Sequence, residues 1–227
     1  MTAFEEANAL YRDGKYAEAA AAYQKLLAQS KPSAALHYNL GNAYFKTGAS
    51  GDLGRAVAEY WRAYRLDPRD SDIRANLDFA LKRSGESLVP AGIPPVLHAA
   101  FHWFGEGELL GLQWIGLWAA LLLAAASLAW PARMSRRRPI LIGAAAFWAA
   151  VAAWWGLRRA AQVQGPGVVL EDRVEARSGP GANFPVSFDA PEGRRVSILS
   201  ESGDWLEVGV LKEGLKGWVP AKAVERI

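Results

Sequence analysis

Three hydrophobic patterns follow one another along the chain. Through the first 86 residues apolar positions recur every three to four residues, the spacing of helices that bury one face. Two runs then lose polarity on every side. No charged residue occurs over the 24 positions from Leu109 to Ala132, or over the 19 from Pro139 to Leu157. Beyond residue 168 the period shortens to two, as in Arg195-Val196-Ser197-Ile198 and Trp205-Leu206-Glu207-Val208, with SGPG, PEG, SGD and KEG as turns. That pattern reads as five or six short strands. The predicted architecture is multidomain, combining α, membrane-helix and β parts: a helical region over 1–86, a linker with an interfacial amphipathic helix over 87–108, transmembrane helices over 109–130 and 139–157 joined by 131–138, and a β domain over 168–227.

A helix needs about 20 apolar residues to cross a hydrocarbon layer of roughly 30 Å, and both uncharged runs come close to or exceed that length. Trp114 and Trp130 stand near the ends of the first run, and Trp154 and Trp155 at one end of the second, where indoles favour the bilayer interface. Gln113 sits near an end, where its amide is expected to reach the headgroups. Gly116, Ala120 and Ala124, and likewise Ala145, Ala149 and Ala153, form ridges of small residues that predict close packing of the two helices.

Charge adds orientation. The net charge of +3 is carried by one turn, which holds Arg133, Arg136, Arg137 and Arg138, while the regions on either side are close to neutral. A short arginine-rich loop stays cytoplasmic, so both flanking domains are expected on the periplasmic face. The chain opens MTAFEEANAL, without a basic or apolar leader. That opening fits the topology if the true start lies upstream or a leader has been removed, and otherwise points to an inverted topology. No region carries the basic surplus that nucleic-acid binding requires. The absence of cysteine excludes disulfides, thiol nucleophiles and cysteine-ligated metal.

Residues 36–68, LHYNLGNAYFKTGASGDLGRAVAEYWRAYRLDP, resemble a tetratricopeptide repeat. Leu40, Gly41 and Tyr44 match the first helix of the motif, and Ala56, Tyr60 and Ala63 the second, closed by Pro68. Ala49-Ser50-Gly51 is an insertion in the turn. A weaker copy runs from about Ala3 to Ser30, with Gly14 in the turn and Ala19, Tyr23 and Leu26 on its second helix. A last helix, SDIRANLDFALKRSG, is expected to start on Ser71 as N-cap and to bury Ile73, Leu77, Ala80 and Leu81. The resemblance implies an α-solenoid of about two and a half repeats with a concave peptide groove. The groove candidates are Asn8, Tyr38, Asn39, Asn42 and Phe45. Asn8 and Asn39 match asparagines that family members use to grip a C-terminal carboxylate, but Phe4, Asp72 and Asn76 stand where the basic partners would be. The asparagines therefore either grip a peptide or hydrogen-bond between helices.

The last sixty residues, with VEARSGPG, EGRRV, GDWLEV and GWVPAKAVERI, resemble a bacterial SH3-like barrel, a family that binds short peptides or, in some members, cell-wall peptide. Trp205 and Trp218 are the surface candidates, one of them expected in the core. The RSGPG segment lacks the Gly-Lys-Ser/Thr ending of a phosphate loop.

Chemistry is sparse. His37, His98 and His102 are the three histidines. His98 and His102 share an i, i+4 spacing, but Ala99 stands where a zinc protease needs glutamate. The pattern VLHAAFHWF reads instead as a helix lying on a bilayer surface. Glu106 and Glu108 form a carboxylate pair at spacing two beside the membrane boundary and are not expected to be catalytic. The expectation is a protein that is not an enzyme, with no metal or cofactor.

The order of repeats, proline-containing linker, membrane hairpin and SH3-like domain resembles the BatE-type aerotolerance proteins of bacteria over the full chain, most tellingly at YNLGNAY, RLDPRDSDIRANL and GWVPAKAVERI. The resemblance implies a two-span inner-membrane component that acts beside von Willebrand factor A-type membrane proteins and a MoxR-type ATPase. The expected function is a non-catalytic scaffold at the lipid bilayer, binding proteins through the repeats and the SH3-like domain. The alternative is a peptidoglycan-binding or peptidoglycan-sensing protein in which the SH3-like domain carries the function.

Overall fold

The computed structural model describes residues 2–129, 138–162, 165–210 and 213–227. The expected Trp130 anchor and the arginines Arg133, Arg136 and Arg137 lie outside the described residues, as does the side chain of Arg138. Two compact units emerge: Met1–Trp103 together with Gln164–Ile227, and Phe104–Val163.

The first unit begins with antiparallel helix pairs, α1 (Ala3–Arg12) with α2 (Tyr16–Gln29) and α3 (Ala34–Thr47) with α4 (Asp52–Leu66), followed by the single helix α5 (Ser71–Arg83). Small residues let these helices touch. The Tyr60 ring fills the space a Cβ at Gly41 would need, approaching it to 2.8 Å. The inserted turn is closed by two left-handed glycines, Gly48 ending α3 and Gly51 capping α4, a conformation that costs glycine least. On α5, Ile73, Leu77, Ala80 and Leu81 are the buried residues. Its N-cap is Asp70 rather than Ser71: the Asp70 carboxylate accepts from the amides of Asp72 and Ile73, leaving Ser71 as the first helical residue. A short helix α6 (Pro95–Phe101) follows.

The C-terminal region forms seven antiparallel strands: β1 (Pro166–Val169), β2 (Arg173–Arg177), β3 (Val186–Pro191), β4 (Arg195–Ser202), β5 (Trp205–Val210), β6 (Leu215–Pro220) and β7 (Val224–Arg226). Their order is β3-β2-β6-β5-β4-β1-β7. Among the described residues no ladder joins β3 to β7, so the sheet is open and not the closed barrel the sequence suggested. The physical reason lies at the β1–β7 edge, which α4 covers, removing the need for closure. Alternate residues of β1 serve two cores: Val168 belongs to the helical core with Tyr60, Trp61 and Leu77, and Val169 to the sheet core with Val208 and Val219.

Polar contacts reinforce this junction. The Gly54 amide donates to Glu192 Oε1 at 3.0 Å. Arg62 bridges Glu59 (2.5 Å) and Glu225 (2.6 Å) and donates to the Arg226 carbonyl at 2.6 Å, while His37 Nδ1 lies 2.5 Å from Glu59. Burial alone would lower the Arg62 guanidinium, but the two carboxylates outweigh it and hold it raised. Arg195 pairs with Glu86 at 3.3 Å and places its guanidinium 4.5 Å above the Trp61 ring.

The second unit is a helical hairpin, α7 (Glu106–Ala129) and α8 (Arg138–Gln162). Both helices are long and apolar enough to cross a membrane, and only 6% of the most apolar stretch of each is buried, the opposite of a soluble core helix. The Trp148 ring occupies the place a Cβ on Gly116 would take, and its indole donates to the Gln113 carbonyl at 3.3 Å. The Gln113 side-chain Nε2 is buried without a partner among the described residues. Glu108 accepts from the Gly105 amide at 2.9 Å and so caps α7. Arg158 is buried and donates to the Phe104 carbonyl at 2.6 Å.

Candidate functional site: a repeat groove and an aromatic sheet face

Two surfaces of the first unit gather the residues singled out from sequence. In the repeats, α3 and α5 present their facing sides around a groove of about 290 Å³ that includes Tyr38, Asn42 and Phe45. The asparagines hydrogen-bond between helices. Asn8 Oδ1 accepts from Tyr23 at 2.6 Å and from Asn39 Nδ2 at 3.2 Å. Asn42 Oδ1 accepts from Tyr60 at 2.7 Å and from Asn76 Nδ2 at 2.9 Å, and Asn76 donates again to Tyr38 at 3.0 Å. Burial, with Tyr38 and Tyr11 nearby, pushes the Tyr60 phenol up, so it remains a donor. This network consumes both hydrogens of the Asn76 amide, and Asn76 itself stands where a carboxylate clamp has a cation.

What the groove offers a ligand is apolar and cationic. Phe45 meets Phe79 edge-to-face at 5.7 Å, Arg83 lies 5.4 Å over the Phe45 ring, and Lys46 lines the same groove. Phe79 was not anticipated from sequence. Its signal was available, since it is an aromatic lying off the buried Ile73–Leu77–Leu81 stripe of α5 and is 58% exposed.

The second surface is the outer face of the sheet. Strand alternation puts Leu206, Val208 and Val219 inward, so Trp205, Glu207 and Trp218 point the other way. Trp218 pairs directly with Arg177 on one side and Glu207 on the other, and Trp205 pairs with Pro220 two residues further along β6. The two tryptophans are therefore diagonal neighbours on one face. Both are half-buried and neither belongs to the buried core, in contrast to the expectation that one would. Arg177 also shapes the adjoining loop by donating to the carbonyls of Ala182 (2.9 Å) and Phe184 (2.8 Å). The RSGPG glycines seat the Phe184 ring, which comes within 2.5 Å of where a Gly179 Cβ would be. Arg177 and Phe184 were missed from sequence because their role depends on a loop closure that no local periodicity reports.

The three histidines are dispersed between two places. His37 belongs to the Arg62 network, whereas His98 on α6 and His102 at its C-cap have ring centroids 4.3 Å apart with the planes tilted by 33°. Among the described residues no group of three or more His, Asp or Glu is placed to hold a metal ion.

Comparison with known proteins agrees with both modules. A family model described as TPR repeat matches residues 7–48, and one described as Bacterial SH3 domain matches residues 172–225. A curated relative in Bacillus subtilis (strain 168), "Putative N-acetylmuramoyl-L-alanine amidase YrvJ", is 41% identical over 56 residues. That match covers 25% of this chain and 11% of the relative, so it speaks for one module and not for the whole protein.

Proposed function

We propose that this protein is a non-catalytic membrane scaffold whose repeat groove holds a protein segment and whose aromatic sheet face holds cell-wall peptide. The observation that carries this reading is that both surfaces belong to one compact unit, while the chain between its two parts supplies two helices able to cross a membrane. A groove with half-buried Phe45 and exposed Phe79 and Lys46 suits an extended segment carrying apolar side chains and acceptor carbonyls. On the sheet, Trp205 and Trp218 provide flat apolar area, flanked by Arg177 and Glu207, one charge of each sign, for a ligand that bears both amines and carboxylates.

The cell-wall half of this reading is favoured by the bacterial SH3 match and by the amidase relative, whose name specifies the muramoyl–alanine linkage. The resemblance to BatE-type proteins supplies the protein half. Its candidates are von Willebrand factor A-type membrane proteins and a MoxR-type ATPase, in an envelope or aerotolerance complex of the bacterial inner membrane. Both surfaces would then face the periplasm.

Purified sacculi incubated with the detergent-solubilised full chain test the sheet face. Retention that falls at least tenfold in Trp218→Ala and Trp205→Ala supports it, and no retention of the parent chain removes the cell-wall half. Photocrosslinking from position 79 tests the groove: capture of a discrete protein supports the scaffold, and capture of none removes it. Alkaline phosphatase fused through a flexible linker after Ile227 should be active, and activity only from a cytoplasmic reporter there would reverse the orientation.

A further inference from the structure

Beyond Phe45 the repeat groove continues into a second hollow of about 250 Å³, where its chemistry changes. Phe45 lines both hollows, and Arg83 stands 5.4 Å over its ring. Separate parts of the chain build the second hollow. The inserted turn between α3 and α4 contributes Ala49 and Ser50, and α4 contributes Leu53. The sheet contributes Asp172, just before β2, and Glu192, just after β3. The insertion that departs from the repeat pattern thus shares one space with the open end of the β2–β3 hairpin.

Strand pairing makes the two acidic residues neighbours. Arg173 is opposite Pro191 in the β2–β3 ladder, so the residues just outside it adjoin, and the Glu192 amide donates to the Asp172 carbonyl at 3.3 Å. Glu192 spends Oε1 on the Gly54 amide, whereas Asp172 is exposed. Other carboxylates of this junction have cations: Asp52 pairs with Arg55, Glu86 with Arg195 and Glu225 with Arg62. Among the described residues neither Asp172 nor Glu192 forms an ion pair. Burial, with Asp172 beside it, holds the Glu192 carboxyl above its usual range, as expected of an acid that meets another acid and no cation.

We infer that this hollow takes the ammonium or guanidinium of a lysine or arginine in the segment held by the groove, close in sequence to an apolar side chain seated against Phe45 and Phe79. The inference rests on the reading that the groove holds a protein segment, and it names what that segment must carry. Charge complementarity selects the occupant: two adjoining carboxyl groups without a cation of their own favour one brought by the ligand, through charge-assisted hydrogen bonds. A long basic side chain suits the space because its apolar stem can lie along Leu53 while its head reaches the carboxylates. A bare calcium ion suits it poorly, since that ion takes about six to eight oxygens and two carboxylates supply fewer.

The probes are acetylated, amidated decapeptide pools with Phe at the fifth position, small residues elsewhere, and Lys, norleucine or Glu placed at each other position in turn. Their retention on the immobilised full chain in detergent is read by mass spectrometry. At one or more positions Lys should exceed norleucine by about tenfold or more, the scale of one hydrogen bond to a charged group, and Glu should be retained less than either. Asp172→Asn should cut that preference to about threefold or less, the range of a single exposed pair. Glu192→Gln, which keeps an acceptor for the Gly54 amide, should act in the same direction, and Asp172→Lys should make Glu the preferred residue. Because Asp172 is exposed, its variants should keep the thermal midpoint of the parent. Equal retention of Lys and norleucine at every position, or a Lys preference unchanged in both Asp172→Asn and Glu192→Gln, would overturn the inference. No retention of any pool, or retention that Phe79→Ala leaves unchanged in all of them, would instead overturn the groove reading on which it stands.

Discussion

Gly54→Ala probes the junction between the repeats and the sheet through the sign of its effect. Gly54 is buried on α4. A Cβ added there would overlap the Val169 carbonyl oxygen and lie 2.9 Å from Leu170 Cα. Both neighbours are backbone, so no side-chain rotation relieves the clash, and β1 must move away. A retreat of about 0.5–1 Å forfeits a quarter to a half of the attraction at each contact it loosens, including those of Val168 with the helical core. It also stretches the bond from the Gly54 amide to Glu192. Overpacking of this kind costs about 1–3 kcal/mol. Against it stands the ordinary gain of about 1 kcal/mol when alanine replaces glycine inside a helix. If α4 and β1 are in contact, the net is a loss of up to about 2 kcal/mol, a fall of up to about 8 °C in midpoint for a unit of this size. If they are not, the midpoint rises by about 2–4 °C. The assay is thermal unfolding of the full chain in detergent. It is paired with a distance between spin labels at introduced cysteines replacing Lys25 and Lys216, which are unique because the chain has none of its own. A stabilised variant with an unchanged distance would refute the shared core.

Arg62→Ala should destabilise the unit by about 1–3 kcal/mol, less than the 3–5 kcal/mol of a fully buried pair because a quarter of the Arg62 side chain is exposed. Arg62→Lys should recover only part of this, since one ammonium does not reproduce the fork, and full recovery in a denaturant titration would show that charge alone matters. Asn42→Ala strands the Tyr60 hydroxyl and one Asn76 donor and should cost about 1–3 kcal/mol; an unchanged midpoint would show the groove network to be dispensable. Burial, together with Asp172, raises the Glu192 carboxyl above its usual range. Its folded form therefore keeps a proton that the unfolded chain has lost, and the associated stability is present at low pH and lost as pH rises from the ordinary glutamate value through the raised one. Glu192→Gln, which retains an acceptor for the Gly54 amide, should flatten that dependence and leave the protein at least as stable at pH 7; a clear loss of stability at pH 7 would refute this assignment.

The parts legible in the sequence were those governed by local spacing. The buried stripe Ile73–Leu77–Ala80–Leu81, the two uncharged helices, the turn glycines and the inward Leu206 and Val208 all follow from periods of 3.6 or two. What escaped depends on long-range pairing. Nothing in Gly167-Val168-Val169-Leu170 says that one valine serves a helical core and the next a sheet core. Gly54 reads as a small residue for helix–helix contact, whereas the neighbour that requires it is a strand more than a hundred residues away. The barrel expectation failed for the same reason: alternation predicts strands and their faces, but closure depends on what covers the edge. At the candidate sites, sequence supplied Trp205 and Trp218 but not their diagonal placement. It also left the asparagines open between ligand and network, because hydrogen-bond partners on three different helices have no common spacing.

A core assembled from both ends of the chain restricts every membrane topology available to the segment between them. Val168 belongs to the same buried core as Tyr60 and Leu77, and Arg62 reaches Glu225, so residues 3–103 and 165–227 must fold in the same compartment. If α7 crosses a bilayer, the chain must recross before Pro166, and among the described helices α8 alone has the remaining length and apolarity. The crossings are then two or none, and an odd number would break the shared core. Orientation follows as one decision for the whole unit. Arg133, Arg136, Arg137 and Arg138, on the proposed reading, hold the intervening loop in the cytoplasm. Replacing all four by neutral residues should weaken or invert both ends together. Reporters placed before Thr2 and after Ile227 must therefore agree in every variant, and a variant in which they disagree while Val168 remains protected from hydrogen exchange would contradict the single-body argument.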